Sequence, residues 1–550
     1  MGLNNERQQD EADVPLARRG QDARDTRGRD ALATTNMNTH EKSGPLVTVL
    51  ISTFNRRRFF GEALASILAQ DYRNLQVIAV NDGGPSVSDV VAAANDPRVV
   101  HIDRRENRGL AYSFNEALQY AQGKYVAYLG DDDLFYPHHI RRLVDTLEGD
   151  TDAGVAYSDL YKVFCRVEPD GGRTVLGKSV NISRDFDRFF LMYFNHTLHV
   201  CMLHRLDLLG KTGPYNENIR VLIDWDMTRR LAFFSDFVHI RDITGEYYAP
   251  VANSDRISYR MRKDRSEYLR NLLMIRASRP AKPWPKMKDL SIVLLPDVMD
   301  EAAGKLLRDV WLWTFVPYQA LLPLPAAALE RLDSQMPNLV RVPVEGSSSM
   351  RFDAALSRAE GDFVAVVPGG LRVEQSWIES AMYALWNDER PKVGYLAGTS
   401  DEQHWCAVVR REDAVEARRR YPTLSVRASL EACNIRFQTP DPSQEPFQFD
   451  AGLQHARQLE TEGDFVQAAC VYEHMLATQP NAELIREKLA VAWAMSPGQA
   501  DHSRAAALLR TINTDQPTPV LLLQEARLLR KYNRHEQAAA LLEQAQRILQ

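Results

Sequence analysis

KYVAYLGDDDLFYP, from Lys124 to Pro137, is an apolar run that ends in three consecutive carboxylates. Tyr125 to Leu129 reads as a strand buried on both faces, as in a parallel sheet. The strand breaks at Gly130 into Asp131, Asp132 and Asp133, and Pro137 opens a helical pattern, HHIRRLVDTLEG. Open α/β sheets put their ligands at the carboxyl ends of such strands. Three adjacent like charges repel and demand compensation. Hard oxygen ligands at this density suit Mg²⁺ or Mn²⁺, above all an ion also held by substrate phosphates. An acidic turn capping the next helix is the plainer reading. The flanking segments decide between them.

On the amino-terminal side, LVTVLISTFN (Leu46 to Asn55) is an apolar strand, and RRRFFGEALASILAQ carries Phe60, Leu64, Ile67 and Leu68 at helical spacing. LQVIAVNDGG (Leu75 to Gly84) is a second buried strand, VSDVVAAAND a helix and VVHIDR a third strand. ENRGLAYSFNEALQYAQG then turns at Asn107 and Gly109 into a helix before Gly123. This alternation predicts βαβ units and a mostly parallel sheet. Phe54 could stack on a base, Asp82 could accept from a base N–H, and Asn107 with Gly109 marks close approach of backbone to a ligand. Asn, Asp and Gly also end strands for no other reason. There is no GxGxxG or GxxxxGK[ST] loop in this region, which speaks against dinucleotide dehydrogenases and P-loop enzymes.

The ordered set VTVLISTFN, VIAVNDGG, ENRGLAYSFNEAL and GKYVAYLGDDDLFYP resembles glycosyltransferase family 2, from Pro45 to about Pro250. The resemblance implies a GT-A fold, Rossmann-like with a mostly parallel sheet, and inverting transfer of a sugar from a nucleotide donor. It implies that Thr53, Phe54, Asn55, Asp82, Asn107, Gly109 and Asp131 bind the donor nucleotide, with Phe54 and Asp82 at the base. It lays Asp131, Asp132 and Asp133 on the family's metal-binding DxD segment, with Mn²⁺ or Mg²⁺ as cofactor. Gly130 stands where many members have another Asp, so which of the three touches the metal is open.

Asp224 and Asp226 flank Trp225 where a helical pattern begins (Met227, Leu231, Phe234). Either is a helix cap or a carboxylate base for the acceptor hydroxyl. By resemblance to the family's acidic motif before Trp-Asp, Asp224 is the base, although Ile223 replaces the usual Glu; Asp226 then supports the loop or contacts the acceptor. His196, His199 and His204 read as packed histidines rather than ligands. Arg256 and Arg260 could close on a pyrophosphate or simply be solvated. From Arg256 to Leu290 there are eleven Arg or Lys against three Asp or Glu, read as a solvated helix and linker, with an anionic surface as the alternative.

From Leu290 the pattern restarts. RFDAALSRAEGDFVAVVPGGLRVEQSWI lies on SFNEALQYAQGKYVAYLGDDDLFYPHHI without a gap, matching Phe352 to Phe114, Leu356 to Leu118, Gly361 to Gly123 and Phe363 to Tyr125. Gly369, Gly370 and Leu371 replace the three aspartates. A second GT-A-like domain without its metal site is expected. Further on, ARQLETEGDFVQAACVYEHMLATQP resembles a tetratricopeptide repeat. Small residues recur as Ala456, Ala490 and Ala526, and as Ala468, Ala505 and Ala538, at about the family's 34-residue period. The expected organisation is a disordered tail 1–43, a catalytic domain 44–255, a basic helix and linker 256–285, a degenerate domain 286–430 and an all-α repeat module 447–550.

A net charge of −6 gives no basic character, so nucleic acid is not an expected partner. Five scattered cysteines without a CxxC pair, no signal peptide before the first strand, and a Val310–Leu329 run interrupted by three prolines predict a cytoplasmic protein with at most peripheral membrane contact. Expected partners are a nucleotide-sugar donor, UDP-sugar foremost, a glycan or protein acceptor, and a protein or second copy at the repeats. The rival readings are a nucleotidyltransferase and a non-catalytic scaffold of a glycan-assembly complex.

Overall fold

A computed structural model describes residues 44–149, 152–181, 183–251, 265–374, 377–398, 404–441, 446–478, 482–515 and 519–549. The tail 1–43, Arg256 and Arg260 lie outside the described residues.

The first sheet has nine strands: β1 (Val47–Thr53), β2 (Leu75–Asn81), β3 (Val99–Asp103), β4 (Tyr125–Gly130), β5 (Leu134–Phe135), β6 (Ala153–Val167), β7 (Arg173–Val180), β8 (Met202–Arg205) and β9 (Asp236–Pro250). Their order is β3-β2-β1-β4-β8-β6-β9-β5, with β7 paired to β6. The expectation of a mostly parallel sheet is met in β3-β2-β1-β4, where helices make the crossovers, and again between β6 and β9. Past β4 the sheet is mixed: β8 is antiparallel to both β4 and β6, and β7 antiparallel to β6. The reason is local. The β6–β7 hairpin doubles the chain back, and a short hairpin joins only antiparallel strands.

The second sheet has seven strands, β10 (Leu290–Leu295), β11 (Tyr318–Leu324), β12 (Leu339–Pro343), β13 (Phe363–Pro368), β14 (Val393–Leu396), β15 (Ala407–Arg410) and β16 (Arg436–Gln438), in the order β12-β11-β10-β13-β15-β14-β16. It therefore runs past residue 430. Position by position this repeats β3-β2-β1-β4-β8-β6-β9, with the same parallel and antiparallel pairings. Registers agree too: Val47 pairs with Tyr125, and Leu290 with Phe363. A polar lock recurs with them. Thr48 Oγ1 donates to Gln76 Oε1 (2.7 Å) and accepts from the Gly123 N–H (2.9 Å). Ser291 Oγ donates to Gln319 Oε1 (3.1 Å) and accepts from the Gly361 N–H (2.9 Å). Gln122 N–H and Glu360 N–H close the two locks on the glutamines, at 2.9 and 3.1 Å.

Among the described residues six helices follow: Pro446–Glu462, Phe465–Thr478, Glu483–Met495, Gln499–Asp515, Pro519–Lys531 and His535–Leu549. Each packs on the next. The six recurring alanines are at most 1% exposed, because only a methyl group lets these helix backbones approach. The face of this array meets β7. Lys488 Nζ donates to the Val180 carbonyl (2.9 Å), Glu487 Oε1 accepts from the Val180 N–H (3.0 Å), and Arg527 Nη2 donates to the Val175 carbonyl (3.1 Å). Side chains thus satisfy the open edge of an outer strand, which would otherwise invite pairing with another chain. No helix among the described residues is long and apolar enough to cross a membrane.

Candidate active site

The four parallel strands β3, β2, β1 and β4 deliver their carboxyl ends side by side, and four loops leave from them. After β1, Phe54 is 43% exposed, one of few large apolar side chains so placed, and Asn55 has φ 61°. After β2, Asp82 is buried and its carboxylate organises the neighbouring loop. It accepts from Arg104 Nη1 (2.8 Å) and from the backbone N–H groups of Arg108 (2.9 Å) and Gly109 (2.8 Å). About one of its four lone-pair sites is left for a ligand. Asn107 Nδ2 donates to the Asp82 carbonyl (3.1 Å), so Asn107 and Gly109 are tied to Asp82 as a unit. Glycine is required at 83, where φ is 78° and a Cβ would stand 2.3 Å from the Asn107 nitrogen.

After β4 come the three aspartates, all buried. Asp131 Oδ2 accepts from Thr53 Oγ1 (2.8 Å). Asp131 Oδ1 and Asp132 Oδ2 both face Arg56 Nη1, at 3.3 and 2.9 Å. Asp133 uses one oxygen on another strand: its Oδ1 accepts from the Tyr248 N–H (2.9 Å). Two carboxylates therefore converge on one cationic centre, and the third pins β9. Burial, with Asp132 adding to it, pushes the Asp131 carboxyl up to about 6 even against Arg56 and Thr53. Among the described residues no group of three or more His, Cys, Asp or Glu is placed to hold a metal ion.

Asp224 lies in the first turn of the helix Ile223–Leu231 and is partly exposed. Its Oδ2 accepts from Asn195 Nδ2 (2.9 Å) and its Oδ1 from the Trp225 N–H (2.9 Å). Burial raises its pKa above the ordinary carboxylate value, against both bonds. Asp226 is fully buried and binds Arg230 (2.7 and 3.0 Å), which in turn holds the carbonyls of Thr212, Gly213 and Pro214; it supports the loop. The histidines are packed. His199 stacks on Tyr128 at 4.3 Å, the His204 ring bonds the Tyr128 hydroxyl at 2.7 Å, and His196 lies against Phe190. Burial pushes their pKa values down to about 3, 4 and 3, so the rings are neutral.

Residues 48–197 match the family described as Glycosyl transferase family 2. These residues thus form a domain similar to family 2 glycosyltransferases. Uncharacterised glycosyltransferases of Rickettsia prowazekii and Rickettsia typhi are 27% and 32% identical to it over 192 and 191 residues, 33% of this chain and 57% of each relative. The chain thus spans just over half the length of these relatives. A protein of Escherichia coli K12, WcaA, named as a candidate colanic acid biosynthesis glycosyl transferase, is 35% identical over 102 residues, 18% of this chain and 37% of that one. Among solved structures, S. aureus TarS 1–349 in complex with UDP-GlcNAc superposes with a TM-score of 0.35 and 17% identity, covering 42% of this chain and 66% of that one.

Three residues of this glycosyltransferase domain's surroundings escaped the sequence reading. Arg56 belonged to an arginine triplet read only as a helix start; its signal was its place directly after β1, facing an acidic loop that needed a counter-charge. Arg173, at the start of β7, donates to the Asp132 carbonyl (2.6 Å) and lies over the Tyr248 ring at 3.7 Å. Asn195 gave no signal, because its partner is 29 residues away and on another element.

Proposed function

We propose that this chain is an inverting, metal-dependent glycosyltransferase that moves a sugar from a nucleotide-sugar donor to a hydroxyl of a glycan or protein acceptor, in surface polysaccharide or glycoconjugate synthesis. One observation carries the reading: Asp131 and Asp132 converge on a single positive centre at the end of β4, among the loops that present Phe54 and Asp82. The family 2 match over these loops supports it. The donor set fits a hard divalent cation, since Mg²⁺ or Mn²⁺ needs only one or two carboxylates when substrate phosphates complete its shell. Asp131 and Asp132 would hold the ion, and Asp133 keeps its backbone bond to Tyr248. When bound, the ion neutralises the departing nucleoside diphosphate as a Lewis acid.

The chain's own side chains do the rest in this reading. Phe54 offers an exposed ring for a base, and Asp82 with Gly109 and Asn107 forms the floor beneath it. Arg56 balances the carboxylates in the absence of ligand, and its planar fork also matches phosphate. Asp224 takes the proton of the acceptor hydroxyl as it attacks the anomeric carbon opposite the leaving phosphate. A carboxyl held above its ordinary pKa is a better base than a free one.

Asp132→Asn and Asp224→Asn are each expected to abolish nucleoside diphosphate release from a panel of UDP- and GDP-sugars in Mn²⁺, with melting temperature retained. Full turnover in either variant rejects that residue's role. Pyrophosphate as product would instead identify a nucleotidyltransferase. A scaffold reading draws on the second sheet, where Gly369 and Gly370 stand in place of carboxylates; calorimetry showing no UDP binding in Mn²⁺ would favour it.

A further inference from the structure

The helix Arg188–Tyr193 precedes Asn195 within the first half of the chain, yet its aromatic face is buried in the core of the second sheet. Phe189, Phe190 and Tyr193 pack there with Leu290, Ile292 and Phe315. Phe189 meets Tyr383 and Trp386 edge-on at 5.3 and 4.8 Å, and Tyr193 meets Phe315 at 4.8 Å. Aromatic pairs of this kind fix geometry as well as bury area.

Two bonds run from this short helix to the Asp224 helix, and a third from Asn195 just after it. The Leu191 carbonyl accepts from Trp225 Nε1 (2.7 Å), the Met192 carbonyl accepts from Arg229 Nη1 (2.8 Å), and Asn195 Nδ2 donates to Asp224 Oδ2 (2.9 Å). An ionised carboxylate only accepts, so the Asn195 amide must turn its NH₂ towards it. Arg229 is fully buried and reaches further: its Nη2 donates to the Phe315 carbonyl (3.0 Å) and the Arg276 carbonyl (3.3 Å). Phe315 N–H in turn donates to the buried Glu379 (2.6 Å). Each of these polar groups is costly to leave unpaired, so the helix has one seat.

We propose that the second domain serves the first as a buttress for the Asp224 helix, and that Asn195 is the positioning residue that aims the Asp224 carboxylate; this rests on Asp224 being the base. It explains why a domain keeps its sheet and polar lock after losing the carboxylates of its own corner. It also assigns a distinct task to each side of Asp224: Trp225 and Arg229 seat the helix, and Asn195 orients the group that meets the acceptor.

The test uses the full chain, with UDP or GDP release from the same donor panel in Mn²⁺. Asn195→Ala is expected to lower kcat at least about tenfold, since misplacing a reacting group by about 1 Å costs up to about a hundredfold. Donor KM and melting temperature stay unchanged. The acidic limb of kcat moves to higher pH, because the lost hydrogen bond favoured the ionised form. Tyr215 and Cys201 face Asp224 from neighbouring elements, and burial keeps both protonated, so neither supplies that limb; Asp131 titrates at about 6 but has no bond to Asn195, so a displacement of the limb in Asn195→Ala reports Asp224. Tyr383→Ala, in the second domain, is expected to lower kcat in the same direction without moving donor KM. A folded Asn195→Ala enzyme with wild-type kcat and pH profile overturns the role given to Asn195, and a folded Tyr383→Ala enzyme with wild-type kcat overturns the buttress. Asp224→Asn run alongside separates both from the base assignment. If it still turns over, the base assignment falls and both roles with it; if it is dead while Asn195→Ala or Tyr383→Ala is normal, only the role that variant tests falls.

Discussion

Asp131 is a carboxylate under opposing demands. Burial and its neighbour Asp132 both oppose its charge, and Arg56 and Thr53 only partly relieve it. An acid whose folded pKa is raised to about 6 binds more protons folded than unfolded between its ordinary value near 4 and 6. Stability from this group is therefore gained as pH falls through 6 and is missing at neutral pH. Asp131→Asn, which keeps an oxygen for Thr53, is expected to raise unfolding free energy at pH 7.5 by about 1–2 kcal/mol and to lose that advantage at pH 4.5. Thermal melts across that range check it, and a destabilised variant at pH 7.5 contradicts it. The same substitution should weaken binding of UDP in Mn²⁺. The sequence showed that three adjacent carboxylates needed compensation; it did not show that a guanidinium from the loop after β1 supplies part of it.

At the scale of elements, the two sheets share their strand order and a polar contact but not the acidic corner. The bond of Thr48 to Gln76 has its counterpart in Ser291 and Gln319, and each hydroxyl also takes up a glycine N–H before the next strand. The three carboxylates after β4 have no counterpart after β13, where Gly369, Gly370 and Leu371 stand. Gly369 stands at the position of Asp131, and Pro296 at that of Thr53. A Cβ on Gly369 would meet the Pro296 Cα at 2.6 Å, against backbone that cannot swing aside. Gly369→Asp is therefore expected to cost about 1–3 kcal/mol by denaturant unfolding and to create no Mn²⁺ binding. An unchanged midpoint would mean the strand ends are looser than this contact implies. Gapless alignment was legible in the sequence because the repeat keeps apolar spacing and glycines. The mixed order of the outer strands was not, because hairpin and crossover connections look alike when strands are written one after another.

At the scale of the whole chain, the helical array is bound to the first sheet through a buried charge. Lys162 on β6 donates to Glu460 at 2.7 Å, and Tyr472 donates to the same carboxylate at 2.7 Å. Lys162 and Lys488 hold the Glu460 carboxyl down at about 2 despite its burial. A depressed acid contributes stability that is present above its unfolded pKa and is lost as pH falls through the folded one, here from about 4.5 towards 2. Lys162→Met is expected to cost about 3–5 kcal/mol at neutral pH by leaving Glu460 short of a partner, and to flatten the acid limb of stability below pH 4.5. Urea unfolding at pH 7 and pH 3.5 checks both; a cost below about 1 kcal/mol at pH 7 would show the pair to be dispensable. The array's face meets the β6–β7 hairpin: of the occupants expected for this surface (a peptide, another subunit or the domains of the same chain), the structure shows the last along β7.

The strand–helix alternation, the acidic corner, the restart at Leu290 and the helical end are legible in the chain alone, because each is written in local spacing: apolar periodicity, turn residues and small residues at helix contacts. Which distant groups meet emerges only on folding. Arg56 reaches Asp131 and Asp132 across 75 and 76 residues, Asn195 reaches Asp224 across 29, and Lys162 reaches Glu460 across 298. Such pairings depend on how sheets and helices stack in space, and no local pattern in the chain encodes a partner that far away.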